Sequence, residues 1–376
     1  MREQLNYLHC MIDEKFLDGA ISLFETDKRV NNTYALFQDG NKGNNFKFIQ
    51  SNIVKCYDTK DFLRIVRGYN VVVLHSLTSL PLSLISAIPH SIKVVWLMWG
   101  ADFYNYEVCN LKLLYPLTKK ALSFRNYLGI LKTKLLYPLR KGKYAKALNR
   151  IDYFSGVFPY EYNLFVNLPR YPGIKAKSID FYYGSTDFFI PEIPNGDFSN
   201  LHKNIIVGNS ADPRNNTIDA FRILEKYIET NSIDNIIVPL SYGNNKVFKN
   251  NVKQLGSSLW GEKFKPLDRY MPLQDYLKLV SNCISAVFFH ERQQASDNVL
   301  MQMLYGARVY MSETSLMFKY LKDKGFIVFS LQKDADLICT PLSNEEVMRN
   351  RQLLSQNYSS SQLIERIKTM NDVIRH

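Results

Sequence analysis

Five consecutive polar residues, His290-Glu291-Arg292-Gln293-Gln294, follow the apolar run Ala286-Val287-Phe288-Phe289 and precede a helix-length stretch from Ala295. A buried strand that ends in such a cluster and enters a helix suits a small ligand carrying charge and hydroxyls. The planar fork of Arg292 can clamp a diphosphate through paired charge-assisted bonds. Free N–H groups at the helix start add donors for the same charge. Gln293 and Gln294 combine donors and an acceptor, which suits sugar hydroxyls or a pyrimidine edge. Glu291 and Asn298 flank them as further candidates. Two other strand ends repeat the arrangement. Ile205-Ile206-Val207 runs into Gly208-Asn209-Ser210 ahead of a helix near Arg214, where backbone N–H groups can meet phosphate. Ile236-Ile237-Val238 runs to Tyr242, a ring able to stack on a base or a sugar. Taken singly, the Asn209 and Tyr242 blocks also read as ordinary turns and packing.

Short β-rich runs alternate with helix-length segments and must position these groups. Strands are expected over 5–11, 34–38, 71–75, 93–99, 153–157 and 179–183 in the first half. In the second half they are expected over 204–207, 235–240, 284–290, 308–311 and 326–330. Several are continuous apolar runs, as parallel strands covered on both faces require. Ile190-Pro191-Glu192-Ile193-Pro194-Asn195-Gly196 reads as a linker. The boundaries expected are 1–190, 200–343 and a helical tail over 344–376. Two β-α series predict an α/β protein of two Rossmann-like domains, with a ligand at the carboxyl ends of the strands.

The formal net charge of +12 is unevenly placed. From Val108 to Ile151 there are eleven Lys or Arg residues and no Asp or Glu, and Lys-Leu-Leu-Tyr-Pro-Leu occurs at both 112–117 and 134–139. Leucines and tyrosines between the cations give the composition of a helical pair on an anionic membrane surface or at an acceptor site. The candidates are Lys119, Lys120, Arg125, Lys132, Lys134, Arg140, Lys141 and Lys143. No nucleic-acid motif accompanies them. Five scattered cysteines without a C-x-x-C pair argue against a disulfide framework or a zinc knuckle and fit a reducing, cytoplasmic compartment. No secretion signal is expected at Met1, and no apolar run reaches the length of a membrane span.

The three strand-end blocks, in this order, resemble glycosyltransferase family 56, the TDP-Fuc4NAc transferases of enterobacterial common antigen or O-antigen type. The matching pieces are Val207-Gly208-Asn209-Ser210, Val238-Pro239 with Tyr242, and Arg292-Gln293-Gln294. From the first half come Trp99-Gly100-Ala101-Asp102 with Tyr104, and Tyr137-Pro138-Leu139-Arg140. The resemblance implies a GT-B fold: two Rossmann-like domains facing a central cleft, with a C-terminal helix returning to the N-terminal domain. It implies an inverting, metal-independent transferase without cofactor. That enzyme moves a 4-acetamido-4,6-dideoxyhexose from a TDP-sugar to a polyprenyl-diphosphate-linked saccharide, as a peripheral protein on the cytoplasmic face of the bacterial inner membrane.

Inversion needs a general base for the acceptor hydroxyl. Asp102, Asp13 and His75, each at the end of an expected strand in the first domain, are the candidates. Asp334-Ala335-Asp336 is the only D-x-D pattern, and it follows polar Gln332-Lys333 rather than an apolar strand, so no metal site is expected. A UDP- or GDP-sugar enzyme of O-antigen or capsule assembly is the alternative, since Glu291 and Glu313 are available for a ribose 2′-hydroxyl. A non-catalytic sugar-nucleotide or membrane-surface binding protein is the alternative of another class.

Overall fold

The computed structural model describes residues 4–14, 16–40, 47–107, 113–192, 203–228, 231–243 and 245–376, leaving aside some side chains within 105–107, 124–140 and 190–192. The strands are β1 (Leu5–Met11), β2 (Val30–Gln38), β3 (Lys55–Asp58), β4 (Val71–Leu74), β5 (Lys93–Leu97), β6 (Tyr153–Ser155) and β7 (Lys177–Ser178) in one sheet. A second sheet holds β8 (Asn204–Val207), β9 (Asn235–Pro239), β10 (Phe264–Leu267), β11 (Cys283–Phe288), β12 (Arg308–Met311) and β13 (Phe329–Ser330). Between them lie α1 (Leu17–Phe24), α2 (Phe62–Ile65), α3 (Leu82–Ser86), α4 (Ala101–Glu107), α5 (Pro116–Lys120), α6 (Phe124–Leu148), α7 (Tyr160–Val166) and α8 (Thr217–Leu224). Then come α9 (Lys246–Trp260), α10 (Leu273–Val280), α11 (Ser296–Tyr305), α12 (Leu316–Asp323), α13 (Asn344–Tyr358) and α14 (Ser360–Arg375).

All described pairings are parallel. The first sheet is ordered β3-β2-β1-β4-β5-β6-β7 and the second β10-β9-β8-β11-β12-β13. Each is the doubly wound order, with strands fanning both ways from a central pair: β1 beside β4, and β8 beside β11. A crevice opens there, because the crossovers on its two sides leave to opposite faces of the sheet. Three of the four central strands are wholly buried, so Val71–Leu74, Asn204–Val207 and Cys283–Phe288 do not alternate between buried and exposed positions.

The chain divides into two compact units: residues 1–107, 133–185 and 360–376, and residues 108–132 and 186–359. Part of the basic segment thus packs with the second sheet, and the tail divides between α13 in the second unit and α14 in the first. Ile367, Met370 and Ile374 of α14 enter the first core beside Tyr7, Ile21 and Phe24. Arg29 anchors the helix by donating to Asp27 at 2.7 Å and to Asp372 at 2.8 Å. This is the returning C-terminal helix that the sequence led us to expect.

Three differences from the expected elements have physical reasons. The strand expected over 179–183 is not a strand: the Ser155 hydroxyl takes the Phe181 N–H that a ladder would have used, and the pairing stops at Ser178. β3 and β10 escape a search for apolar runs because both are edge strands, one carrying Lys55 and Asp58 and the other Pro266, which only an edge tolerates. The repeated hexamer takes two conformations. At 112–117 its Pro116 opens α5, where the missing N–H costs nothing; at 134–139 it lies inside α6. The expected linker lies mostly outside the described residues; its first part, to Glu192, is a 3₁₀ turn.

Candidate functional site

The donor-binding candidates gather at the β8/β11 crevice of the second unit. Val207 ends β8, and Gly208 turns the chain at φ +73°, a conformation open to glycine. Its N–H donates to Val287 O at 2.8 Å, tying the two strand ends together. Beyond it Asn215 donates to the Ser210 hydroxyl at 3.0 Å and accepts from Gln294 Nε2 at 3.0 Å. Asn216 donates to Phe289 O at 3.0 Å. Ser210 and Gln294 are therefore joined through Asn215, with Gly208 tied to the end of β11 beside them. Tyr242 joins its edge: its carbonyl accepts from Ala211 N at 2.7 Å, while its ring is 75% exposed and open to stacking.

Both helices that leave this crevice start unusually. Asn216 before α8 and Ala295 before α11 have φ of +52° and +55°, where non-glycine residues are strained. Neither caps its helix through its side chain. At α11 the first N–H groups follow directly on Arg292-Gln293-Gln294, all three buried. The Arg292 guanidinium donates to Gln293 O at 2.9 Å. Gln293 Oε1, Asn209 Oδ1 and Thr217 Oγ1 are buried without a hydrogen-bond partner. Such atoms carry a desolvation cost of about 1–3 kcal/mol each, and a polar ligand removes it. Burial, with the nearby Arg292 charge, pushes His290 down to about 3, so this ring is neutral. The crevice thus combines positive charge with acceptors suited to hydroxyls or a base.

Glu291 and Asn298 are differently placed. Glu291 Oε1 accepts from the Tyr115 hydroxyl and the Ser312 hydroxyl at 2.5 Å each, and Oε2 from Thr314 at 2.7 Å. Tyr115 also stacks on Phe289, ring centroids 4.5 Å apart. Its N–H donates to Asn216, and the next turn, α5, is capped by Asp219 through the Leu117 and Thr118 N–H groups. Tyr115, Asn216 and Asp219 were missed in the sequence, since nothing local marks a partner a hundred residues away. Asn298 accepts from the Tyr276 hydroxyl at 3.2 Å.

In the first unit, the three candidate bases all lie at the carboxyl edge of the sheet. Asp102 is buried in the first turn of α4. Its Oδ2 accepts from Leu77 N and Trp96 Nε1, both at 2.9 Å, and its Oδ1 from Trp99 N at 3.0 Å. Burial raises its pKa despite these donors. Asp13 accepts from the N–H groups of Lys47, Phe48 and Ile49 at 2.6–3.0 Å; burial acts upward, but these bonds bring its pKa down. His75 is fully buried. It contacts His9 at 2.9 Å and the Tyr183 hydroxyl at 3.1 Å. Burial pushes it well down, and burial pushes the Tyr183 phenol well up while the Trp99 indole acts against that push. A cavity of about 370 Å³ opens at the same edge, lined among others by Asp39, Thr59, Leu77, Thr78 and Pro81.

Of the basic candidates, Lys120, Lys132, Lys141 and Lys143 are exposed and Lys119 half-buried. The side chains of Arg125, Lys134 and Arg140 lie outside the described residues. Leu128, Leu131 and Leu135 of α6 are 48%, 40% and 78% exposed. Among the described residues no helix is long and apolar enough to cross a membrane, and no cluster could hold a metal ion.

Residues 180–356 match the model of the family described as 4-alpha-L-fucosyltransferase, glycosyl transferase group 56. Over that range the resemblance read from the sequence is borne out. The whole chain superposes on solved structures at low identity. Anabaena HepE, solved with UDP and glucose, gives a TM-score of 0.64 at 12% identity, covering 98% of this chain and 100% of that one. An alpha-glucosyltransferase solved with UDP and a DNA containing an HMU base gives 0.59 at 13%, covering 100% of both. The fold is GT-B, and the protein is a glycosyltransferase.

Proposed function

We propose that this glycosyltransferase uses a TDP-sugar, transferring a 4-acetamido-4,6-dideoxyhexose with inversion to a polyprenyl-diphosphate-linked saccharide. The second unit binds the donor and the first the acceptor. The observation that carries the donor reading is the β8/β11 crevice, where buried Arg292 stands at the uncapped start of α11 beside the unpartnered Asn209 Oδ1 and Gln293 Oε1. The diphosphate meets Arg292 and the helix N–H groups, and the sugar or base meets the amides. Positive protein charge takes the place of a metal ion on the diphosphate.

Two carboxylates could have held a ribose 2′-hydroxyl, and both are engaged. Glu291 receives three hydroxyls, and Glu313 pairs with Lys333 at 2.6 Å. A deoxyribose needs neither, which favours TDP. The competing reading, a UDP-sugar, draws on the UDP with which two of the similar structures were solved. Thermal shifts with TDP, UDP and GDP separate the two: TDP is expected to raise the melting temperature most, and transfer from the TDP-sugar is expected to persist in EDTA. A larger shift with UDP, or turnover lost in EDTA and restored by magnesium, would overturn the donor and the metal-independent readings respectively.

The acceptor's lipid anchor places the enzyme on the cytoplasmic face of an anionic membrane. Support comes from the leucine stripe of α6 at spacings of three and four, with exposed lysines around it. At about 1 kcal/mol per cation near an anionic leaflet, the three exposed candidate lysines of α6, Lys132, Lys141 and Lys143, supply roughly 3 kcal/mol, enough for reversible docking. Co-sedimentation with phosphatidylglycerol vesicles and not with phosphatidylcholine vesicles is expected; equal recovery with both would remove the electrostatic reading.

A further inference from the structure

At the β1/β4 crevice of the first unit, a line of hydrogen bonds crosses the interior. The Asn32 amide nitrogen donates to Phe24 O at 3.3 Å and to Glu25 Oε1 at 3.2 Å, which fixes its oxygen as the atom facing His9 Nε2 at 3.1 Å. His9 Nε2 must then carry the proton. In a neutral ring His9 Nδ1 is left as an acceptor, so His75 Nε2, 2.9 Å away, is the donor. His75 Nδ1 in turn accepts from the Tyr183 hydroxyl at 3.1 Å. Every link points the same way: Tyr183 to His75 to His9 to Asn32 to the Glu25 carboxylate. Aligned chains polarise one another, and a carboxylate at the far end strengthens each acceptor along the line.

The near end of the line is partly open to solvent. Tyr183 is half-buried and forms an aromatic cluster with Trp99 and Phe16, ring centroids 6.0 and 5.4 Å away. Rings with polar tips suit the faces of a sugar. Leu77, two residues after His75 in the chain, lines the cavity at this edge. Asp102 and Asp13 each spend their oxygens on three N–H groups, whereas the Tyr183 hydroxyl donates to His75, with the Trp99 indole beside its oxygen.

We propose that Tyr183 binds the acceptor sugar's reacting hydroxyl and that His75, acting through it, takes the proton, with His9, Asn32 and Glu25 as positioning residues. The acceptor O–H breaks toward the Tyr183 oxygen as the Tyr183 proton moves to His75 Nδ1. The electron pair stays on the acceptor oxygen as the nucleophile. After the product leaves, the proton returns along the same path to water. This rests on the transferase reading above and adds to it the group that handles the acceptor.

The test is Tyr183→Phe, which keeps the ring packing and removes only the hydroxyl, with His75→Gln and the double variant beside it. In Tyr183→Phe, kcat is expected to fall about a hundredfold, in the range of general-base contributions. Nucleotide affinity should stay at its native value, while the melting temperature falls by a few degrees because buried His75 Nδ1 loses its donor. The double variant should be no slower than the worse single one, because the two act as a unit. Nitrogen-15 spectra of the native protein at pH 7 should report both imidazoles as neutral Nε2–H tautomers. Tyr183→Phe within twofold of native kcat would overturn the proposal, as would a His75 proton on Nδ1. Native protein that transfers from none of the nucleotide sugars would instead overturn the donor reading.

Discussion

Replacing Arg292 with alanine is expected to weaken nucleotide diphosphate binding about ten- to a hundredfold and to lower kcat/KM further, with little change for a nucleoside that lacks phosphates. The expectation follows from where the guanidinium sits. It is buried at the end of β11, directly before α11, so its charge acts with little screening by water. A charge-assisted hydrogen bond contributes about 1.5–3 kcal/mol, and about 1.4 kcal/mol corresponds to a factor of ten. One guanidinium nitrogen already donates to Gln293 O. Truncation therefore also loosens the chain that presents Gln293 and Gln294, and lysine, a point charge without the fork, should recover only part of the loss. Calorimetric titration of native and variant protein with TDP and thymidine measures this. Equal loss for both ligands would mean that Arg292 holds the pocket's shape and does not hold the diphosphate.

The crevice that Arg292 serves was legible in the sequence because both levels of its order are local. An apolar run, a polar turn and a helix are adjacent in the chain, and parallel strands then bring the ends of β8 and β11 side by side. Gly208, Ser210 and Gln294 needed nothing more than that to meet. Glu291 marks where local reading stops. In the sequence it belongs to the polar cluster; in the structure it turns to Tyr115, Ser312 and Thr314. That partnership depends on residues 113–121 packing against the second sheet, although they follow the first sheet's strands in the chain. The Tyr183 chain was illegible for the same reason. It joins positions 9, 32, 75 and 183, and a histidine inside an apolar strand carries no local sign of its partner.

Asp102→Asn tests one of the three candidate bases against the geometry that surrounds it, and its largest expected effect is on stability. The carboxylate meets three N–H donors in a buried site. Asparagine is nearly isosteric but has one acceptor and one donor group. If its oxygen stays with Leu77 and Trp96, its amide faces the Trp99 N–H; if it turns over, it faces the other two. In either pose at least one buried donor is orphaned, at about 1–3 kcal/mol, and the remaining bonds lose their charge-assisted strength. Relief from burying a charge acts the other way, and burial does hold this carboxyl above its usual range. The orphaned donor and the steric conflict should outweigh that relief, leaving a net loss of roughly 2–3 kcal/mol, or a melting temperature lower by about 4–12 °C in a unit of this size. The consequence reaches function because Leu77 lines the cavity and Trp99 leans on Tyr183. Activity should therefore fall together with stability and return in part on cooling. A variant that melts within about a degree of native yet transfers nothing would put Asp102 back in the reaction, and the melting curve, read beside the rate, decides between the two roles.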